Sequence, residues 1–581
     1  MLVGAAAVAV HLLMLLWLRP RTATAAAVAL FWVADSALVA VLAAAISPDG
    51  WSLAGAGYAT VGLVAIRALP DWHALGRVFF GYLCAAAALY LIYVAELTLF
   101  GGLGAGAAGL SALLLLFEAL AILLTLTYAY EGLSTLARVR WRRVMPRPAA
   151  FTGEEAPLVS IHVPTYSEPP ELVIETLEAL ARLDYPRFEV IVVDNNTQDA
   201  ALWRPVERRC AELGPRFRFF HVSPLAGFKA GACNFALART DPQAEIIAII
   251  DADYVVVPEF LTETAPYFRD PRIAFVQTPQ DYREFSGNRY LTDCLHAYAY
   301  FFAVSMRTRN EDNAAIFGGT MGLIRRSALE EIGGWDEWCI TEDAEASLRI
   351  LQRGHASLYI HKSYGRGLMP FEFDAYKKQR FRWAFGGVQI LRKHWRSLVP
   401  FVTRPPGDRL TAAQRAWYLV AGLLWFGEPL QVAFAAFLTA GGLAYALGAG
   451  TLARPLAEAI LVFPLLFLGL GVVRFLWVLR TALGLGLRDA VGAALSMFSL
   501  SWVVTQAALL ALVRSGGVFL RTSKTRSTST LGRALHAARV ETALAAACLA
   551  VAALALARGL TPLAIGIAAL AAWQAILYGS A

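Results

Sequence analysis

The sequence predicts an α/β domain built on a Rossmann-like, mixed and largely parallel sheet, inserted between two α-helical transmembrane bundles. Three observations carry that expectation. The 581 residues are 57% hydrophobic, with a mean hydropathy of +0.52, more apolar than a soluble globular chain. Apolar runs long enough to cross a bilayer gather at the two ends, whereas 135–412 alternates charged, turn-rich and short apolar stretches. Within that middle part, short apolar strands end repeatedly in polar residues, as strands of a parallel sheet do where they meet a ligand.

The N-terminal region, 1–134, reads as about five helices. Met1 to Leu18 is stopped by Arg19-Pro20-Arg21, and without a basic leader or small-residue cleavage site it reads as a span, not a removable signal. Runs follow at 23–46, 52–67, 78–100 and 106–131. Arg19, Arg21, Arg67, Arg77 and the basic stretch Arg138 to Arg143 fall in alternate loops, which places those loops in the cytoplasm and the N-terminus outside. Gly104-Ala-Gly106-Ala-Ala-Gly109 matches GxGxxG in letters only, because no strand precedes it; it reads as a span boundary.

The net charge of +7 and isoelectric point near 9.1 invite a nucleic-acid partner. The basic residues crowd beside apolar runs, however, so the positive-inside rule accounts for them and no nucleic acid is expected. Six cysteines show neither CxxC pairs nor metal-ligand spacing and are read as reduced, mostly buried thiols.

The central domain, 135–370, begins its strand-helix alternation at Pro157. Leu158 onward reads as strand, loop and helix; Phe188 to Asp194 is a second strand ending in an acid; Ile246 to Val257 is an apolar run interrupted by Asp251-Ala-Asp253. Ligands bind at the carboxyl ends of such strands, which singles out Pro164, Thr165, Tyr166, Asp194, Asp251 and Asp253. Carboxylates one residue apart at the edge of a dry core suit a hard divalent cation carrying phosphate. Between them, Lys229 and the glycines of Leu225 to Asn234 would let backbone and an ammonium approach a diphosphate.

VPTYSE, VDNN, FKAGACN, DAD, VQTPQ, FGGT, Thr341-Glu342-Asp343 and Gln379 to Trp383 together resemble the processive family 2 glycosyltransferases, which include cellulose, chitin, hyaluronan and curdlan synthases. The resemblance covers about 157–396 and implies a GT-A fold. It implies that Thr165, Tyr166, Glu168, Asp194, Lys229 and Asp251 bind the nucleotide-sugar. Asp253 would coordinate Mg²⁺ or Mn²⁺, and Asp343 would be the general base of a single inverting displacement. Glu342, Gln379, Arg382 and Trp383 would serve the acceptor and the diphosphate. Read from its residues alone, 371–413 is amphipathic and aromatic-basic, as interfacial helices are.

The C-terminal region, 414–581, reads as about four spans, near 414–447, 455–480, 541–557 and 561–578. The stretch 488–513 is read as an interfacial helix, because a crossing there would export the six Lys/Arg between Arg514 and Arg539. The C-terminus then lies inside. Phe519, Thr522 and Lys524, within the loop 514–540, resemble the gating loop of cellulose synthases. VDNNT resembles the β-1,3-glucan branch, and no soluble domain follows the last span, so a fused cyclic-di-GMP module is not expected.

The reading is therefore a UDP-glucose-dependent β-glucan synthase of the bacterial inner membrane. Its catalytic domain would be cytoplasmic, and its growing glucan would cross the bilayer along a path lined by Asp35, Glu96, Glu118, Glu428, Arg474, Trp425 and Trp477. Helix–helix hydrogen bonds account for each ionisable group equally well. Other polysaccharide synthases, a non-processive transferase acting on a lipid carrier, and a transporter with an inactive soluble domain stay open as alternatives.

Overall fold

Strand formation in the central domain follows its β-branched runs. In the computed structural model, which describes residues 8–14, 25–46, 51–448, 462–514, 516–517 and 531–581, ten strands are present. Four come first: β1 (Leu158–Thr165), β2 (Phe188–Asn195), β3 (Phe217–Val222) and β4 (Ala244–Ile249). Helices Pro170–Ala181, Ala200–Leu213 and Phe228–Leu237 connect them, so the four strands run parallel.

Both faces of this sheet are covered. Val190 and Val192 pack into one apolar cluster with Leu177 and Val206, while Ile191 and Val193 pack against Ala232 and Ala236 on the other side. Fully burying such a side chain contributes about 1.5–3 kcal/mol, which is why the strands read as continuous apolar runs without polar alternation.

The chain then departs from simple alternation. β5 (Val255–Val256), β6 (Ile273–Gln277), β7 (Asp281–Arg283), β8 (Gly322–Arg325), β9 (Ala356–Tyr359) and β10 (Gly365–Leu368) divide between two sheets. The main sheet has the order β3-β2-β1-β4-β8-β6-β9, and a small one the order β5-β10-β7. β8 is antiparallel to both β4 and β6, which makes the sheet mixed. The apolar stretch Ile246 to Val257 is accordingly not one strand: β4 ends at Ile249, Asp251-Ala-Asp253 turns, and β5 joins the small sheet.

The chain divides into two units. One comprises Met1–Trp141, Gly427–Trp502 and Leu531–Ala581; the other comprises Arg142–Phe426 and Val503–Thr530. In the first, the apolar runs form helices Ala25–Ile46, Trp51–Ala68, Ala74–Phe100, Ala105–Ala137, Gly427–Ala446, Val462–Leu483, Arg539–Ala557 and Pro562–Gly579. The 414–447 run is interrupted by a 3₁₀ turn at Leu424–Phe426, and 488–513 comprises two helices, Leu487–Phe498 and Ser501–Val513. Among the described residues, six helical stretches are long and apolar enough to cross a membrane, and Leu487–Val513 is one of them.

Asp35 shows how polar groups are satisfied in the first unit. It is 4% exposed, accepts the Tyr82 hydroxyl and pairs with His11 Nε2, tying three helical segments together; Tyr82 also packs edge-on against Tyr58. Glu118 accepts the Tyr90 hydroxyl at 3.3 Å. Interhelical hydrogen bonding is thus what these two acids do in the structure. Replacing Asp35 by Ala would strand two buried donors, at a cost of about 1–3 kcal/mol each. The detergent-solubilised Asp35→Ala protein should melt several degrees below wild type, and an unchanged melting temperature would show that the clasp adds no stability.

Candidate active site

The carboxyl ends of β1, β2 and β4 lie side by side because their register is fixed: Thr165 pairs with Asp194 across β1 and β2. Asp194 is 4% exposed and heavily bonded. Its Oδ2 accepts hydroxyls from Thr165 at 3.0 Å and Thr197 at 2.8 Å, and its Oδ1 lies 2.9 Å from His221 Nδ1. Tyr166 is exposed just beyond β1, and the partly buried Glu168 follows it in the same loop.

Lys229 opens the helix Phe228–Leu237. Its Nζ donates to Asp251 Oδ1 at 2.6 Å and to the Gly319 carbonyl at 2.8 Å. Burial disfavours this ammonium, but Asp251 and Glu342 outweigh that and raise its pKa. Gly231, two residues on, serves packing and not the approach of a ligand: a Cβ there would sit 1.9 Å from the Ala226 carbonyl oxygen.

Asp251 and Asp253 differ in setting. The Asp251 side chain is 36% exposed and its backbone N–H donates to Thr320 Oγ1 at 3.0 Å. Asp253 is 2% exposed, and its Oδ2 accepts the Leu368 N–H at 2.7 Å, tying β10 to the turn. Among the described residues no group of three His, Cys, Asp or Glu side chains could hold a metal alone. Two hard carboxylates do fit a cation such as Mg²⁺ or Mn²⁺ that draws its remaining ligands from phosphate and water.

Antiparallel pairing of β8 with β4 and β6 delivers the segment Phe317 to Thr320 to this place, since Gly322 pairs with both Ile249 and Gln277. Gln277, fully buried, donates to the Thr278 and Thr320 carbonyls and accepts the Gly318 N–H. Gly319 is required: its φ is +78°, and a Cβ would meet Asp343 Oδ2 at 2.3 Å.

Glu342 and Asp343 begin the helix Glu342–Gln352. Burial first, and Asp343 second, push Glu342 up to about 8; burial likewise raises Asp343. The preceding loop is held by the buried Gln389, whose Oε1 accepts the Ile340 N–H.

Gln389 belongs to the helix Phe373–Leu398, which also carries Gln379, Arg382 and Trp383. Gln379 accepts the Tyr298 hydroxyl, and Trp383 packs edge-on against Tyr298 at 5.6 Å. Burial pulls Arg382 below its ordinary pKa, against the opposing pull of Glu342 and Asp251. Trp425 packs on this helix at Gly387. Phe519, Thr522 and Lys524 lie outside the described residues.

Sequence reasoning missed three groups. Arg380 sits over the rings of Tyr298, Tyr376 and Trp383 at 4.9, 5.3 and 4.9 Å. His221 stacks on Trp203 with ring centroids 4.4 Å apart. Gln389 was the third. The one signal available was the i, i+3 and i, i+4 placement of Tyr376, Arg380 and Trp383 on one helix face.

The mixed sheet and its connections are those of a glycosyltransferase domain of GT-A fold. Residues 156–386 match the family described as "Glycosyltransferase like family 2". Similar proteins include "Probable glucomannan 4-beta-mannosyltransferase 7" of Oryza sativa subsp. japonica, 29% identical over 44% of this chain and 45% of that protein. Another is "Cellulose synthase catalytic subunit [UDP-forming]" of Xanthomonas axonopodis pv. citri (strain 306), 29% identical over 49% of this chain and 37% of that protein. The chain thus spans less than half the length of either relative. A solved structure, "Mannosyltransferase PcManGT from Pyrobaculum calidifontis in complex with GDP-Man and Mn2+", aligns over 68% of this chain and 99% of that one, with a TM-score of 0.45 and 22% identity.

The acid pair predicts a pH effect whose sign is fixed. Between the ordinary value of 4.5 and about 8, the folded protein keeps a proton on Glu342 that the unfolded chain has released, so stability falls as pH rises through that window. Glu342→Gln should flatten the fall in melting temperature across it. Parallel curves for variant and wild type would show that Glu342 titrates normally.

Proposed function

We propose that this chain is a processive, inverting β-glycosyltransferase that polymerises a sugar from a nucleotide-sugar donor and passes the polymer across the membrane that holds its helices. The observation that carries the reading is the convergence of Lys229, Asp251 and the Glu342-Asp343 pair around the Gly319 backbone. One ammonium among acids, at the carboxyl ends of parallel strands, suits a diphosphate leaving group opposite a base.

In this proposal Thr165, Tyr166, Glu168, Asp194 and Asp251 hold the donor, and Lys229 neutralises its phosphates. Asp253, with Asp251 beside it, would hold Mg²⁺ or Mn²⁺, which would supply positive charge to the departing diphosphate. Asp343 accepts the proton of the acceptor hydroxyl as that hydroxyl attacks the anomeric carbon. Its raised pKa brings it nearer neutrality, where a base works best. Trp383 offers a ring face to the terminal acceptor sugar, Gln379 and Glu342 orient that end of the site, and Arg382 faces the diphosphate.

For the finer assignment we retain UDP-glucose as donor and a β-1,3-linked glucan as product, on the strength of Val193-Asp194-Asn195-Asn196-Thr197. The cytoplasmic side of a bacterial inner membrane is the setting, with the N-terminus outside and the C-terminus inside. A second reading, a β-1,4-mannan synthase, is favoured by the glucomannan 4-β-mannosyltransferases among the similar proteins.

Membranes carrying the protein, incubated with labelled UDP-glucose, should yield long polymer that β-1,3-glucanase digests. Label confined to lipid would overturn processivity, and glucanase-resistant polymer would overturn the linkage. Asp343→Asn should lower incorporation by about 10²- to 10⁴-fold; full activity in that variant would remove Asp343 from the role of base.

A further inference from the structure

If the transferase reading holds, Asp343 must be kept at a set distance from the helix Phe373–Leu398, and one face of that helix supplies the means. Gln379, Arg382, Gly386, Gln389 and Lys393 follow one another at alternating intervals of three and four residues, which places them in a single row. The chain from Asp336 to Asp343 runs along this row in the opposite direction. Lys393 pairs with Asp336, and its ammonium lies 5.1 Å from the centre of the Trp338 ring. Gln389, fully buried, accepts the Ile340 N–H at 3.3 Å and donates to the Trp338 carbonyl at 3.5 Å. Gly386 is where helix and loop come closest: a Cβ there would stand 2.2 Å from Thr341 Oγ1 and 2.9 Å from Thr341 Cβ. Just beyond Thr341, the carboxylates of Glu342 and Asp343 are among the charges acting on Arg382, the next member of the row.

A glycine inside a helix weakens it, so its place there needs a reason, and here the reason is that no side chain fits between helix and loop. We propose that Gly386 and Gln389 are positioning residues: they set the gap between Asp343 and the acceptor end of the site, and so decide whether the acceptor hydroxyl or water is the nucleophile. In transfer the hydroxyl oxygen bonds to the anomeric carbon while the bond to the diphosphate breaks; the diphosphate leaves with that electron pair, and Asp343 takes the hydroxyl proton. In hydrolysis a water molecule takes the place of the hydroxyl, and free sugar is released. Water fills whatever gap opens beside Asp343. A hydroxyl at the end of a chain held at Trp383 cannot follow, so any change in the gap penalises transfer more than hydrolysis. Displacing a reacting group by about 1 Å costs on the order of 10²-fold in rate.

The test measures nucleotide release and sugar incorporation side by side on the full-length protein in detergent, with labelled UDP-glucose and, separately, GDP-mannose. Gln389→Leu, similar in volume but without the hydrogen bonds, should lower incorporation about 10- to 100-fold and release much less, so that the ratio of release to incorporation rises about tenfold or more. Gly386→Ala should move the ratio the same way, and Thr341→Gly in the same chain, which clears the space, should bring it back. The KM for the donor should hardly move, since neither residue is placed on the donor. Equal loss of release and incorporation in both single variants, with the ratio unchanged, would make these contacts structural only; it would overturn the proposal and leave the transferase reading standing. Release without incorporation by the wild type would show that the gap already admits water, and would overturn the proposal too. Neither release nor incorporation from either donor by folded wild-type protein would overturn the transferase reading and this inference with it.

Discussion

The ammonium of Lys229 is the group on which the site's geometry depends. It bonds the Asp251 carboxylate and the Gly319 carbonyl, and through that backbone it reaches the place where Asp343 presses against a residue without a side chain. Asp251, Glu342 and Asp343 would repel one another in a partly dry cleft, and the raised values of the last two record how far that repulsion and burial already go. The positive charge of Lys229, with that of Arg382 also acting on the three acids, makes the cluster tolerable.

That cluster is assembled by sheet register and not by proximity in sequence. The parallel strands β1, β2 and β4 bring Thr165, Asp194 and Asp251 to one edge, as crossover helices require. The antiparallel β8 then carries Gly322 beside Ile249 and Gln277, so that Phe317 to Thr320 arrives against Asp251 from the opposite direction. Gln277 secures that segment by bonding three of its backbone groups or their neighbours. A shift of one residue in β8 would send every one of these partners to the other face of the sheet.

The polar residues of the first unit carry a different lesson. Asp35 could be read from sequence either as lining a path or as bonding between helices, and its pairing with Tyr82 and His11 gives it the second role. A carboxylate in an apolar bundle is costly unless it is bonded, so a single acid within a span says that a partner exists without saying which one. Here the partners are 24 and 47 residues away along the chain.

Composition and periodicity determined where the apolar helices fall, that the central part alternates strand and helix, and which acids stand at strand ends. Those features are local: a buried strand or span must be apolar over consecutive residues, and a carboxylate beside a dry core stands out against them. The tertiary structure decided what those residues touch. The mixed sheet with its antiparallel β8, the interruption of Ile246 to Val257 by a turn between two sheets, and the cage of rings around Arg380 all depend on pairings between distant segments. So does the clamp of His221 on Asp194, 27 residues apart, which exists because β3 lies beside β2 in one register. Hydropathy records how much of a residue is covered; only the packed chain decides by what, because hydrogen bonds and ring contacts depend on angles and distances that no local pattern encodes.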